Sequence, residues 1–161
     1  MRLIHQKSRC DRGIQGFHLT LHGDFEVLPG LVGDLFGQSV SFIADGVINV
    51  DNTFTVNNKD VPAIPRIGLR MQMPVDFTDL TYYGRGPWEN YQDRKTSCFV
   101  GEYSCRVADM FEPYIRPQEN SHRTDVIWFS LSDKKGKGLL VVADDKLEMN
   151  VSNYTDRKSV V

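Results

Sequence analysis

The stretch Arg66-Ile67-Gly68-Leu69-Arg70-Met71-Gln72-Met73 puts Ile67, Leu69, Met71 and Met73 at alternate positions, with Gly68, Arg70 and Gln72 between them. Successive side chains of an extended chain point to opposite faces, so this spacing predicts a strand with one apolar face. A helix would repeat its apolar positions every three or four residues. The period of two recurs in both directions. Phe17, Leu19 and Leu21 alternate with His18, Thr20 and His22, and Ile48, Val50, Phe54 and Val56 share one face of another run. Val126, Trp128 and Ser130 oppose Ile127, Phe129 and Leu131, and Leu139 to Val142 is a short continuous apolar run. Turn-forming residues lie between and beside the runs: Gly23-Asp24, Pro29-Gly30, Asp45-Gly46, Asn57-Asn58, Pro62 and Lys135-Gly136. Short strands joined by such turns predict an all-β fold, an antiparallel sandwich or barrel. No stretch carries a sustained helical stripe, and Asp34 to Phe42 has room for one helical turn at most.

A length of 161 residues fits one domain with a sizeable core, residues 1–16 being read as a peripheral lead-in. The formal net charge of -2 and the scattered Lys and Arg argue against nucleic acid or an anionic membrane surface as partner. No apolar run approaches the roughly 20 residues that span a bilayer, and residues 1–6 lack the apolar core of a signal peptide. For a piece of a longer chain this assigns no compartment. Cys10, Cys98 and Cys105 are odd in number and contain no CxxC pair, so a zinc knuckle is not expected. Reduced thiols are the reading, with a Cys98–Cys105 bridge as the alternative. His18 and His22 lie four apart in a strand rather than a helix, which does not make a metal pair. Asn150-Val151-Ser152 and Asn153-Tyr154-Thr155 match a glycosylation triplet that is common by chance.

Two segments break the strand pattern. One is Tyr82-Tyr83-Gly84-Arg85-Gly86-Pro87-Trp88-Glu89-Asn90-Tyr91-Gln92-Asp93-Arg94, the other Pro113-Tyr114-Ile115-Arg116-Pro117-Gln118-Glu119-Asn120-Ser121-His122-Arg123. Both are dense in aromatic and charged groups, as in ordered loops whose rings and ion pairs are packed. Together with Pro65-Arg66-Ile67-Gly68-Leu69, these segments resemble, in order and spacing, the C-terminal, small-chain-type domain of glycoside hydrolase family 2 β-galactosidases. That family's pattern is close to PRIGL, YGRGPxENYxDR and PYxxPQENGxR, and the resemblance runs from about Phe17 to the end. One departure is Ser121 where the family usually has Gly, which bears on the turn because Gly adopts positive φ at less cost.

The resemblance implies a large antiparallel β-sandwich, a supersandwich similar to the galactose mutarotases. It implies a multidomain parent in which a catalytic barrel and an immunoglobulin-like domain precede this piece. It also implies a domain that continues past Val161, with a segment close to HxGxGGxDSW whose Trp reaches the galactose site. Only Trp88 and Trp128 are present here, so the chain is read as truncated within the domain. By the same resemblance the parent hydrolyses terminal β-D-galactosides with retention, is a homo-oligomer, and uses Mg2+ and, in some members, Na+. No cofactor or metal is expected in this piece itself.

Retaining glycosidases need two carboxylates about 5–5.5 Å apart. Glu89 and Glu119 could be read as such a pair, or as loop-fixing partners of Arg85, Arg94, Arg116 and Arg123. The second reading is adopted, because the family's catalytic glutamates belong to the barrel, and this chain is expected to carry no catalytic residue. Glu119, Asn120, His122 and Arg123 are the candidate substrate-binding residues, since carboxylate, amide and guanidinium groups suit paired contacts to hydroxyls. Their alternative is a buried polar knot at the start of a strand. Tyr82, Tyr83, Trp88 and Tyr91 could stack on a pyranose or pack their loop on its own sheet. The rival function is an independent carbohydrate-binding sandwich that docks oligosaccharides.

Overall fold

A computed structural model describes residues 4–10, 20–25, 35–43, 47–55, 67–116 and 118–154. These contain nine strands: β1 (Ile4–Cys10), β2 (Thr20–Phe25), β3 (Leu35–Ile43), β4 (Val47–Thr55), β5 (Ile67–Gln72), β6 (Asp79–Gly86), β7 (Phe99–Arg106), β8 (His122–Ser132) and β9 (Gly138–Asn150). A single 3-10 turn, Val107–Met110, follows β7. Seven strands form one sheet in the order β3-β4-β1-β9-β8-β6-β7, and β2 and β5 pair as a second. Every pairing is antiparallel. Leu80, Tyr82, Val126, Leu131, Leu139, Val141, Leu147 and Met149 are core residues of the large sheet, and Met71 of β5 packs against them. The two sheets thus enclose one core, which is the all-β sandwich that the alternation predicts.

The alternation is clearest in β6 and β9. Leu80, Tyr82, Gly84 and Gly86 are buried while their neighbours are not. Leu139, Val141, Ala143, Leu147 and Met149 do the same in β9, which runs well beyond the short apolar run at its start. Between β8 and β9 the Lys135-Gly136 turn is realised. Asp133 Oδ1 accepts from the amides of Lys135 at 2.8 Å and Lys137 at 2.9 Å, and Gly136 takes φ 76.

Four readings of the sequence are corrected. Leu35–Ile43 is a strand rather than a helical turn, paired along its whole length with β4. Gly23-Asp24 lies inside β2 opposite Leu69 and Gly68, so strand pairing overrides the turn preference. Tyr82–Gly86 is the second half of β6 rather than loop. The two faces of β8 are not constant either. Register shifts at Arg123/Val126 and Val126/Trp128 let Val126 and Leu131 both reach the core, although strict alternation puts them on opposite faces. Cys98 and Cys105 are free thiols, the first buried and the second half-buried. Of the remaining turns and strands in the sequence reading, Pro29-Gly30, Asp45-Gly46, Asn57-Asn58, Pro62, Phe17 to Leu19 and Val56 lie outside the described residues.

Candidate functional site

The second half of the first motif segment meets Tyr114 and Glu119 to Arg123 of the second at the start of β8. Glu89, Asn90, Asn120, Ser121, His122, Arg123 and Thr124 are all buried. Burying so many polar groups costs free energy unless each is paired. Asn90 shows how the pairing is done. Its Nδ2 donates to the carbonyls of Arg85 at 3.0 Å and Trp88 at 2.9 Å. Its Oδ1 accepts from Thr124 N at 2.9 Å and Thr124 Oγ1 at 2.6 Å. Its backbone amide donates to the His122 carbonyl at 3.0 Å. All four places of the side-chain amide are filled.

Glu89 is the second clamp. One oxygen accepts from Arg94 at 2.7 Å and from the Tyr114 hydroxyl, and the other from the Ser121 amide at 2.8 Å. Of the arginines expected to hold the motif glutamates, Arg94 does so. Arg85 instead donates through Nε to Asp125 at 2.5 Å, with Lys95 and Lys146 at 3.5 and 3.9 Å from the same carboxylate. The hydrogen bond from Arg85, strengthened by both lysines, holds the Asp125 carboxyl below its ordinary range despite partial burial.

Each candidate binding residue has a definite place. Asn120 reaches back to Glu112, accepting from its amide at 2.9 Å and donating to its carbonyl. Arg123 donates to the Tyr82 hydroxyl at 3.0 Å, the His122 carbonyl at 3.0 Å and the Pro87 carbonyl at 2.8 Å. It forms no ion pair among the described residues, so a buried guanidinium is held by neutral oxygens alone, contrary to the glutamate pairing expected for it. Burial pushes the Tyr82 hydroxyl up in pKa, and Arg123 opposes that. His122 stacks on Tyr91 with centroids 4.7 Å apart. Its ring nitrogens face Asn150 Oδ1 at 2.7 Å and Glu148 Oε2 at 3.2 Å. Glu119 Oε1 stands 3.5 Å from Nδ1, and Glu119 is the least buried of the four candidates.

The four candidate stacking rings separate. Tyr82 is core, Tyr91 lies under His122 with its hydroxyl on the Glu119 carbonyl at 3.0 Å, and Tyr83 is half-buried. Trp88 alone stands out, 68% exposed, while its backbone carbonyl is held by Asn90. Glu148 and Asn150 of β9 and Thr124 are not among the sequence candidates, whereas Asp125 is one of the acids the sequence offers beside Glu89, Asp93, Glu112 and Glu119. Thr124 and Asp125 lie just past the recognised motif, and nothing local marks the two β9 residues, 26 and 28 positions from His122.

Ser121 has φ 67, the left-handed conformation in which Gly is cheaper. Its hydroxyl donates to Met110 O at 2.9 Å, which offsets part of the strain. Ser121→Ala keeps the strain and loses the bond, whereas Ser121→Gly loses both. We expect the Ala variant to be less stable than the Gly variant by about 1 kcal/mol in urea unfolding. Equal stability, or a more stable Ala variant, would contradict this.

The family model described as beta galactosidase small chain matches residues 29–159. A β-galactosidase of Priestia megaterium is 36% identical over 69% of this chain and 11% of its own length. β-Galactosidase BgaC of Bifidobacterium adolescentis is 35% identical over 64% of this chain and 10% of its own. A β-galactosidase of Vibrio cholerae is 46% identical over 41% of this chain and 6% of its own. The chain therefore spans about a tenth of the length of the curated relatives it matches.

Proposed function

This chain belongs to the β-galactosidase small-chain family, and from that premise we propose that it serves a parent enzyme hydrolysing terminal β-D-galactosides as a structural domain without catalytic carboxylates. The observation that carries this reading is the engagement of Glu89. Arg94, Tyr114 and the Ser121 amide occupy both of its oxygens, which suits a clamp and not a nucleophile or proton donor. The parent reaction is proposed as that of family 2 glycoside hydrolases, a retaining displacement through a covalent galactosyl-enzyme. Its nucleophile and acid/base are placed in another domain. Mg2+ and Na+ are assigned to the rest of the parent. A homo-oligomeric parent completes the proposal.

Glu119, Asn120, His122 and Arg123 are assigned to the knot that joins the two motif loops to β8 and β9. Asn120 and Arg123 are spent on internal oxygens and amides, which supports holding over sugar binding. A chromogenic β-galactoside offered to the 161-residue chain should not be turned over. Turnover that disappears with Glu119→Gln would refute the reading. Glu119→Ala should lower the melting temperature, by about 1 kcal/mol of stability, since it takes an acceptor from His122.

A second reading, an independent sugar-binding sandwich, draws on Trp88, whose exposed ring projects from a loop with a fixed backbone. Saturable quenching of tryptophan fluorescence by galactose, with an unchanged melt for Glu119→Ala, would favour it over the first.

A further inference from the structure

The ring of His122 is set among oxygen acceptors whose identities are fixed by their other bonds. Asn150 Nδ2 donates to the Asn120 carbonyl at 2.6 Å, so its amide cannot be turned round and Oδ1 must face His122 Nδ1. That contact, at 2.7 Å, needs a proton on Nδ1. On the other side Nε2 faces the Glu148 carboxylate, an acceptor only, at 3.2 Å. The Glu148 end is anchored as well. Its second oxygen accepts from Gln92 Nε2, and Gln92 Oε1 in turn accepts from Lys95 at 2.7 Å. A neutral imidazole carries one N–H and would leave a lone pair against one of these oxygens. Only the imidazolium supplies both donors.

We propose that His122 is a built-in cation that latches both motif loops to β9, and that the latch opens when this ring loses its proton. The groups meeting at it come from every neighbouring segment. Tyr91 stacks from the first loop, with Arg94 5.3 Å over the same tyrosine ring. Glu119 comes from the second loop and Glu148 from β9. Arg123, next in β8, holds the His122 carbonyl at 3.0 Å. The two carboxylates face the ring nitrogens themselves, whereas Arg94 lies over Tyr91 and Arg123 holds the backbone carbonyl.

Burial works against the charge on His122, but the hydrogen bonds to Glu119 and Asn150 and the charges of Glu119 and Glu148 outweigh it, so its pKa is raised. A group whose pKa is raised by folding adds stability that is full below its unfolded value, about 6.5. That stability is lost as pH rises through the folded value. The latch is therefore closed at the ordinary histidine midpoint, and it loosens in the alkaline direction.

The test is nitrogen and carbon NMR of the histidine-labelled 161-residue chain across pH, with the His122 signals assigned by their loss in His122→Gln. Both ring nitrogens of His122 should be protonated at pH 6.5, and the titration midpoint should lie above that. Glu148→Gln, at a half-exposed carboxylate, should move the midpoint down while the amide spectrum stays native. Protection of the Asn90 amide, which donates to the His122 carbonyl, should fall with the same midpoint. A singly protonated ring at pH 6.5, or a midpoint that neither Glu148→Gln nor Glu119→Gln moves, overturns the built-in cation. Protection that stays level through the titration overturns the latch. Where His122→Gln does not fold, the Glu148→Gln and Glu119→Gln shifts identify the signal and carry the test.

Discussion

Asn90→Ala should lower the unfolding free energy of the chain by about 3–5 kcal/mol, enough to remove a large share of a typical domain's stability. Alanine deletes four hydrogen bonds at once. The decisive partners are Thr124 N and Oγ1, because Thr124 is wholly buried and no solvent can replace the lost acceptor. An orphaned buried donor costs about 1–3 kcal/mol, and two of them already account for most of the figure. Asn90→Asp separates chemistry from volume. It keeps an acceptor for Thr124 but turns a carboxylate oxygen on the carbonyls of Arg85 and Trp88, where only a donor serves. Aspartate should therefore be nearly as damaging as alanine in urea unfolding. A loss below about 1 kcal/mol for either variant would show that the knot does not hold the loops.

The partition between what the sequence reveals and what it conceals follows from where each partner comes from. The start of β9 is legible because large apolar side chains mark its buried face, and in β5 Leu69 and Met71 are the half-buried positions beside the exposed Arg70 and Gln72. The end of β6 is hidden because its buried positions are Gly84 and Gly86, which carry no side chain to mark the face. β7 is hidden for another reason. It is an edge strand that opens on two exposed apolar residues, Phe99 and Val100, so its alternation starts only at Gly101 and rests on Tyr103 and Cys105. At the knot, motif spacing brings out Glu89, Asn90 and Asn120 together, and positive φ at Ser121 agrees with the glycine expected there. The partners of His122 are different. Asn150 and Glu148 enter through the β8–β9 pairing, in which His122 lies opposite Asn150. That is a long-range register, which no local pattern encodes. Arg123 shows the limit of charge counting. A sequence rich in acids suggests a carboxylate partner, yet the fold gives it a phenol and two carbonyls.

Gly84→Ala is the second variant with a large expected effect, a loss of about 3 kcal/mol. A Cβ at Gly84 would stand 2.7 Å from Val126 Cγ2 and 2.8 Å from Val126 Cα. The first contact could be relieved by a side-chain shift, but the second is with the backbone of β8. Val126 is 0% exposed and sits between two register shifts, so β8 would have to move away from β6 at the point where it enters the knot. Alanine also restricts the unfolded chain, which favours folding by only about 0.4–1 kcal/mol and does not reverse the sign. Val126→Ala distinguishes the two contacts. It removes Cγ2 and leaves Cα, so in that background Gly84→Ala should cost less than in the wild type but still destabilise. A double-mutant cycle in urea would measure this. If Val126→Ala abolishes the cost of Gly84→Ala completely, the clash is with the side chain alone and β8 is not held as close to β6 as the backbone distance implies.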